Sequence, residues 1–160
     1  MKTPQQMYES LPKVTLNRKC PCSKGRGCCE GFDIHCSPSL TADEIKYFKK
    51  HHSGKFGLRD SLAVKKNGNC IFVDDKTMMC GIYENRPLDC RMYPLLPMGP
   101  YITCNADCVS AKSFERGQVN NKFLVAVLKL LQKQSPEYIM KASAASCMGE
   151  GWTVKILGEL

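Results

Sequence analysis

The chain carries eleven cysteines among 160 residues, many more than a protein of this size uses as small core side chains. Thiols in such number are typically held by metal ions or joined as disulfides. Residues 1–9 are polar and lack the apolar stretch of a secretory signal, and the cysteine count is odd. We therefore expect a cytoplasmic, reducing location in which the cysteines bind metal.

The remaining composition is that of an ordinary folded protein. Hydrophobic residues make up 43% and charged residues 24%, which excludes a disordered or fibrous chain. The length suits one domain over residues 1–160. The longest apolar run, residues 123–131, contains Lys129 and is about half the length of a bilayer span, so no membrane helix is predicted.

A formal charge of +8 would attract an acidic partner. Four thiolates around a divalent ion lower that charge by two, and some basic residues then serve as counter-charges. Nucleic acid is accordingly disfavoured, and the partner is expected to be an unidentified protein or small molecule.

Six cysteines are the candidate metal ligands, because they lie in turns or at the ends of predicted elements, where the backbone can bend around an ion. The segment CPCSKGRGCCEGFDIHC, residues 20–36, is rich in glycine and is interpreted as a ligand loop. The candidates are Cys22, Cys28, Cys29, Cys70, Cys80 and Cys90.

The middle of the chain predicts a helix followed by hairpins. Thr41 and Glu44 form a Thr-x-x-Glu capping box that begins a helix running to about His52. Across residues 62–83, short apolar runs alternate with the turn signals KKNGN and DDK, which predicts a three-stranded meander or two hairpins. A proline-broken segment then allows a short helix near Pro87.

Helices are predicted to cover this core. Apolar residues at helical spacing predict a helix over residues 110–134, and Ser135 with Pro136 begins another that ends near Cys147. WTVKIL is predicted to form a strand. The expected fold is α+β: a small cysteine-rich, metal-centred domain with β-hairpins and two to three covering helices, its core at residues 20–108 and its helical cover at 109–148.

Two segments carry a family resemblance. Cys70-Ile71-Phe72-Val73-Asp74 and CGIYENRPLDCRMYP, residues 80–94, resemble the YkgJ-like cysteine-cluster proteins, which are named for a zinc- or iron-chelating CxxCxxCC motif. The resemblance spans residues 20–108. The motif cysteine expected at Gly25 is missing, and four other cysteines are alternatives for it. These are Cys20, Cys36, Cys104 and Cys108.

The CCEGF segment is also similar to the cysteine region of flagellin lysine methylases, which are iron–sulfur proteins. Their activity is not implied, because the sequence has no glycine-rich turn of the kind that holds S-adenosylmethionine. Six or more thiols exceed the needs of one zinc ion, so an iron–sulfur cluster of the 4Fe-4S type is favoured, with zinc as the alternative. The expected function is a redox or accessory enzymatic role; the alternatives are a zinc-stabilised interaction module and a metal-handling protein.

Other polar residues have structural interpretations. Arg86 and Arg91 are expected to pair with Asp89 or Glu84, and Tyr83 and Tyr93 to pack over the metal site. His51 and His52 are interpreted as helix-end residues and the Asp74-Asp75 pair as turn residues. Cys104 and Cys108, spaced i and i+4, could reach one metal from a helical turn, or could be bystanders in equal measure. Cys147 is interpreted as a core residue.

Overall fold

In the computed structural model the chain forms two compact units. The first combines residues 1–8 with 21–91, and the second combines residues 9–20 with 92–160. The structure describes residues 1–11, 37–57, 60–77, 79–105, 122–145 and 154–160. Within these ranges it contains five α-helices and a three-stranded antiparallel sheet, which confirms the predicted α+β class.

Four short helical segments belong to the first unit. They are α1 (Pro4–Met7), α2 (Ala42–His51), a 3-10 helix (Tyr83–Asn85) and α3 (Leu88–Met92). The start of α2 is the predicted capping box: the Glu44 N–H donates to the Thr41 hydroxyl, and the Thr41 N–H donates to the Glu44 carboxylate at 2.8 Å. The helix ends at His51, one residue before the expected position, and His52 is its C-cap.

Aromatic and aliphatic side chains around α2 form the core of the first unit. Phe48, on α2, is 1% exposed, and its ring lies 5.9 Å from that of Phe72. Burial of each such side chain stabilises the fold by about 1.5–3 kcal/mol. The buried cluster consists of Leu40, Tyr47, Phe48, Leu62, Cys70, Phe72 and Val73.

The strands predicted across residues 62–83 are shorter than expected. Among the described residues of this region, antiparallel pairing takes the form of isolated bridges, which join Phe56 to Leu62, Val64 to Cys70 and Val73 to Cys80. The reason is that turns follow each bridge at once. Gly68, with φ of +84°, closes one turn, and the Lys65 N–H donates to the Asn69 carbonyl at 2.8 Å. The order of two successive hairpins is kept, but without extended ladders.

The second unit contains the sheet, in the order β1 (Leu95–Met98), β2 (Tyr101–Asn105) and β3 (Val154–Glu159). The carboxyl-terminal strand was predicted, whereas β1 was not, because the surrounding prolines indicated only turns. In the structure Leu95 pairs with Cys104 and Met98 with Tyr101 across a tight turn. Gly99, with φ of +58°, lies in that turn.

Two helices complete the described part of the second unit. Helix α4 (Lys122–Leu131) buries the predicted apolar stripe, and α5 (Pro136–Ala145) begins as predicted, since the Ser135 hydroxyl accepts the Tyr138 N–H at 3.2 Å. Helix α5 packs against β1. Residues 110–121 and Cys147 lie outside the described residues. None of the described helices is long and apolar enough to cross a bilayer. One domain over the whole chain stays a prediction.

A fully buried carboxylate joins α2 to α3 in the first unit. Glu44 is 0% exposed; its Oε2 accepts the Thr41 N–H, and its Oε1 accepts the Leu88 N–H at 2.6 Å. The Tyr8 hydroxyl lies 3.2 Å from that of Thr41 and also interacts with Glu44, so the amino-terminal segment closes over the same point. Burial raises the pKa of Glu44 to about 7, although the hydrogen bonds from Thr41 and Leu88 lower it.

This raised pKa predicts how stability depends on pH. Between the ordinary pKa of about 4.5 and the folded value of about 7, the folded state holds a proton that the unfolded state has released. The contribution of Glu44 to the free energy of unfolding is therefore present at low pH and is lost as pH rises through this window, by up to about 1.4 kcal/mol per unit. Glu44→Gln, which cannot titrate, should lack this term.

The measurement is urea unfolding of the metal-loaded wild-type and Glu44→Gln proteins at several pH values from 5 to 8. Other titrating groups, including the thiols, are common to both proteins, so the difference between the two free energies isolates Glu44. We expect that difference to shrink as pH rises. A difference that is constant with pH would contradict the assigned titration.

Candidate metal centre

Cys70 is a thiol embedded in the core of the first unit. It is 6% exposed and belongs to the buried cluster around Phe48. Its antiparallel bridge to Val64 ends one hairpin, and its carbonyl accepts the Val73 N–H at 3.0 Å, which bends the chain into a turn. The Phe72 N–H donates to the Cys70 sulfur. A sulfur at the head of a turn, with a main-chain donor directed at it, is suited to bind a metal ion.

Cys80 has a similar local arrangement at the end of the second hairpin. It pairs with Val73, and its carbonyl accepts the Tyr83 N–H at 3.3 Å. The Gly81 N–H donates to the Phe72 carbonyl at 2.8 Å, and a Cβ at Gly81 would lie 3.3 Å from that oxygen, so glycine allows the close approach. Cys80 is half-buried, which leaves its sulfur nearer to solvent than that of Cys70.

Cys80 is close enough to Cys70 for its charge to act on the Cys70 thiol. Burial raises the pKa of the Cys70 thiol above its ordinary value, and the charge of Cys80 raises it further, whereas the Phe72 N–H and the Lys65 charge lower it. A pair of thiolates in this apolar setting therefore needs a cation to be stable. A thiolate-binding metal supplies that cation, so the pair fits part of a zinc or iron–sulfur site.

Cys90 lies on α3 between Asp89 and Arg91, whose side chains are both hydrogen-bonded to the main chain outside the helix. The Asp89 carboxylate accepts the Ser39 N–H at 2.9 Å, and the Arg91 Nε donates to the Arg86 carbonyl at 2.8 Å. Burial raises the pKa of Asp89 to about 6, and the Ser39 N–H opposes that shift. The predicted short helix near Pro87 is confirmed, and it presents Cys90 from a fixed segment.

The complete ligand set stays a prediction. Within the part of the chain that the structure describes, no three His, Cys, Asp or Glu side chains come together as a metal-binding group. The described candidates Cys70, Cys80 and Cys90 are thiols. The other members of the predicted set and most of the alternatives lie outside the described residues: Cys22, Cys28, Cys29, Cys20, Cys36 and Cys108.

Cys104 does not lie on a helical turn. It belongs to β2 in the second unit, is 1% exposed and pairs with Leu95. The prediction of a helical turn at this position is wrong, because the β-branched residues Ile102 and Thr103 extend the chain beside β1 and β3. The i, i+4 spacing of Cys104 and Cys108 therefore does not indicate that both bind one metal from a single helix face.

The two arginines of the signature use their charge differently from the expectation. Arg91 donates to the main-chain carbonyls of Arg86 and Glu84 rather than to the predicted carboxylates. Arg86 stacks on Tyr83, with its Cζ 3.7 Å from the ring centroid. The Tyr83 side chain is 49% exposed. Arg86 and Arg91 thus brace the chain segment that precedes α3.

The histidine and aspartate interpretations are confirmed. His52 caps α2 and its ring packs against Phe72 with centroids 5.0 Å apart. Asp74 accepts the N–H groups of Lys76 and Thr77, as a turn residue does. Asp75 accepts Lys65 Nζ at 2.7 Å, and that bond, together with two from asparagine side chains, lowers its pKa to about 2.

Sequence reasoning missed Glu44 as a buried group and assigned it only a capping role. The signal was present in the spacing: Glu44 lies four residues after Leu40 and four before Phe48, on the face that the helix buries. A carboxylate on an apolar helix face must be paired when buried. Its partner Leu88, 44 residues away, could not be identified from local pattern.

Comparison with known proteins identifies the family of the chain. The model of the CxxCxxCC family, described as a "putative zinc- or iron-chelating domain", matches residues 21–120. Searches of curated proteins and of solved structures find no match. The match spans more than half of the chain and includes all six candidate ligands, so this chain belongs to the CxxCxxCC family of zinc- or iron-chelating domains.

Proposed function

We propose that the chain holds an iron–sulfur cluster of the 4Fe-4S type, which serves a redox or accessory enzymatic role. The observation that carries this proposal is the location of Cys70. Its sulfur lies in the aromatic and aliphatic core of the first unit, within electrostatic range of the Cys80 thiol. Iron–sulfur clusters are larger than a zinc ion and are tuned by apolar surroundings and by N–H donors to sulfur.

Cys70 and Cys80 would bind through sulfur, and the remaining ligands would come from Cys90 and the loop cysteines Cys22, Cys28 and Cys29. When bound, the cluster supplies one-electron chemistry. The chain's own contribution is to keep the Cys70 sulfur away from water and to direct the Phe72 N–H at it. Both features affect the charge that the site tolerates and therefore its reduction potential.

Zinc is the second candidate, and one observation favours it. Cys70 and Cys80 each begin a tight turn, the local arrangement that structural zinc sites use. Zinc would make the protein a stabilised interaction module without redox chemistry. A metal-handling role, in which the half-buried Cys80 exchanges first, requires transfer to an acceptor protein. We place the protein in the cytoplasm on the basis of its cysteine content.

Anaerobic purification distinguishes the two metals. We expect a brown protein with an absorbance shoulder near ~400 nm that is lost on reduction or on exposure to oxygen, together with iron and acid-labile sulfide in similar amounts. Metal analysis by plasma mass spectrometry on the same sample gives the zinc content. Colourless protein with stoichiometric zinc and no sulfide would refute the iron–sulfur assignment and leave the zinc candidate.

Substitution of Cys80 tests the ligand assignment. Cys80→Ser should lose most of its bound metal, a larger effect than the ~10–100-fold loss of affinity that follows removal of an outer-shell partner. Cys147→Ser is the matched control, because the same chemical change is made at a cysteine assigned to the core. Metal content per folded protein is measured after gel filtration under nitrogen. Full retention in Cys80→Ser would remove Cys80 from the ligand set.

A further inference from the structure

The orientation of Cys90 depends on groups outside its own helix. Helix α3 has only five residues, and an isolated helix of that length is not stable in water. Its direction must therefore be set by contacts with the rest of the first unit. The tie between Asp89 and Ser39, and that between Arg91 and Arg86, lie immediately on either side of Cys90.

A further external contact of this segment starts at Glu44. Its Oε1 accepts the Leu88 N–H at 2.6 Å, two residues before Cys90, while Oε2 accepts the Thr41 N–H at 2.8 Å. One carboxylate thus serves the first turn of α3 and the first turn of α2 together. The 2.6 Å separation of the Leu88 nitrogen and Oε1 is short for an N–H···O hydrogen bond. The contact is fully buried, and the positive charge of Arg91 acts on the same carboxylate.

We infer that Glu44 is the positioning residue for Cys90: its carboxylate, through the Leu88 N–H, fixes the segment that presents the Cys90 sulfur to the metal. The inference rests on the proposed ligand role of Cys90. Glu44 itself does not bind the metal. It acts as outer-shell residues of metal sites do, by holding a ligand in the bound geometry.

Two variants separate positioning from general stability. Glu44→Met keeps the approximate size of the side chain but has no acceptor oxygen, so the Leu88 N–H loses its partner. Thr41→Ala removes the hydroxyl that caps α2 and contacts Tyr8, at a cost of about 1 kcal/mol, but leaves the Leu88 contact intact. Urea unfolding of each metal-loaded variant gives its stability, and urea added to the more stable variant matches the two.

The readout is alkylation of individual cysteines in the metal-loaded protein, followed with iodoacetamide and peptide mass spectrometry. A thiolate bound to metal reacts slowly, and a misplaced one reacts faster. In Glu44→Met we expect the alkylation rate of Cys90, relative to those of Cys70 and Cys80, to rise about tenfold or more. In Thr41→Ala at matched stability this ratio should stay at the wild-type value.

An unchanged Cys90 ratio in Glu44→Met would overturn the inference, as would an equal rise in both variants, because either result reduces Glu44 to a general stabilising role. Cys90→Ser is measured in parallel for metal content. If Cys90→Ser keeps its metal, the ligand role of Cys90 fails and the inference falls with it. If Cys90→Ser loses metal while Glu44→Met keeps the wild-type ratio, the inference alone fails.

Discussion

The first unit depends on a carboxylate that has no access to water. Burial of Glu44 would be strongly unfavourable without partners, and it is offset by two main-chain N–H donors and by the nearby Tyr8 hydroxyl. The bonded segments are far apart in sequence, so this one side chain replaces an extended interface between α2 and α3. A bond of this kind is specific in direction as well as favourable, which apolar packing between such short helices would not be.

Burial also disfavours the charged form of a cysteine, and at Cys70 the hydrogen bonds of the chain offset this less than they do at Glu44. Cys70 is surrounded by carbon, and its thiolate gains little from the single Phe72 N–H compared with what it loses in leaving water. Glu44 obtains its compensation from the chain itself. Burial favours the neutral thiol at Cys70, and a bound cation, of the kind that members of a metal-chelating family hold, would stabilise its thiolate.

Some elements of the fold could be predicted from the sequence and others could not. The box formed by Thr41 and Glu44 predicted the start of α2 because capping is a local interaction. Strand β1 was not predicted, because its prolines indicated turns. It forms because it pairs with β2, an interaction that the local sequence of β1 does not show. Val64 and Cys70 were predicted to belong to longer strands, but they form only an isolated bridge. The pattern of apolar and polar residues does not show where the main-chain N–H groups form turn hydrogen bonds instead of pairing between strands.

The candidate site divides along the same line. The family could be predicted from the signature around Cys80 and Cys90, because that signature is a run of contiguous residues, and the family match confirms it. Convergence of thiols is not stored in that way, because it depends on how hairpins and loops come together. The influence of Cys80 on the pKa of Cys70 could therefore be established only from coordinates. The fate of Cys104 is a clear example, since its spacing to Cys108 fitted a helix but its neighbours Ile102 and Thr103 form a strand.

Cys70 and Cys80 differ in burial, so solvent reaches Cys80 more easily than Cys70. A competing thiol, chelator or oxidant arriving from solvent meets the half-buried Cys80 before the more deeply buried Cys70. If the proposed centre includes both cysteines, its disassembly would therefore begin at Cys80 and end at Cys70. Reassembly by the reverse route would bind the Cys70 sulfur first.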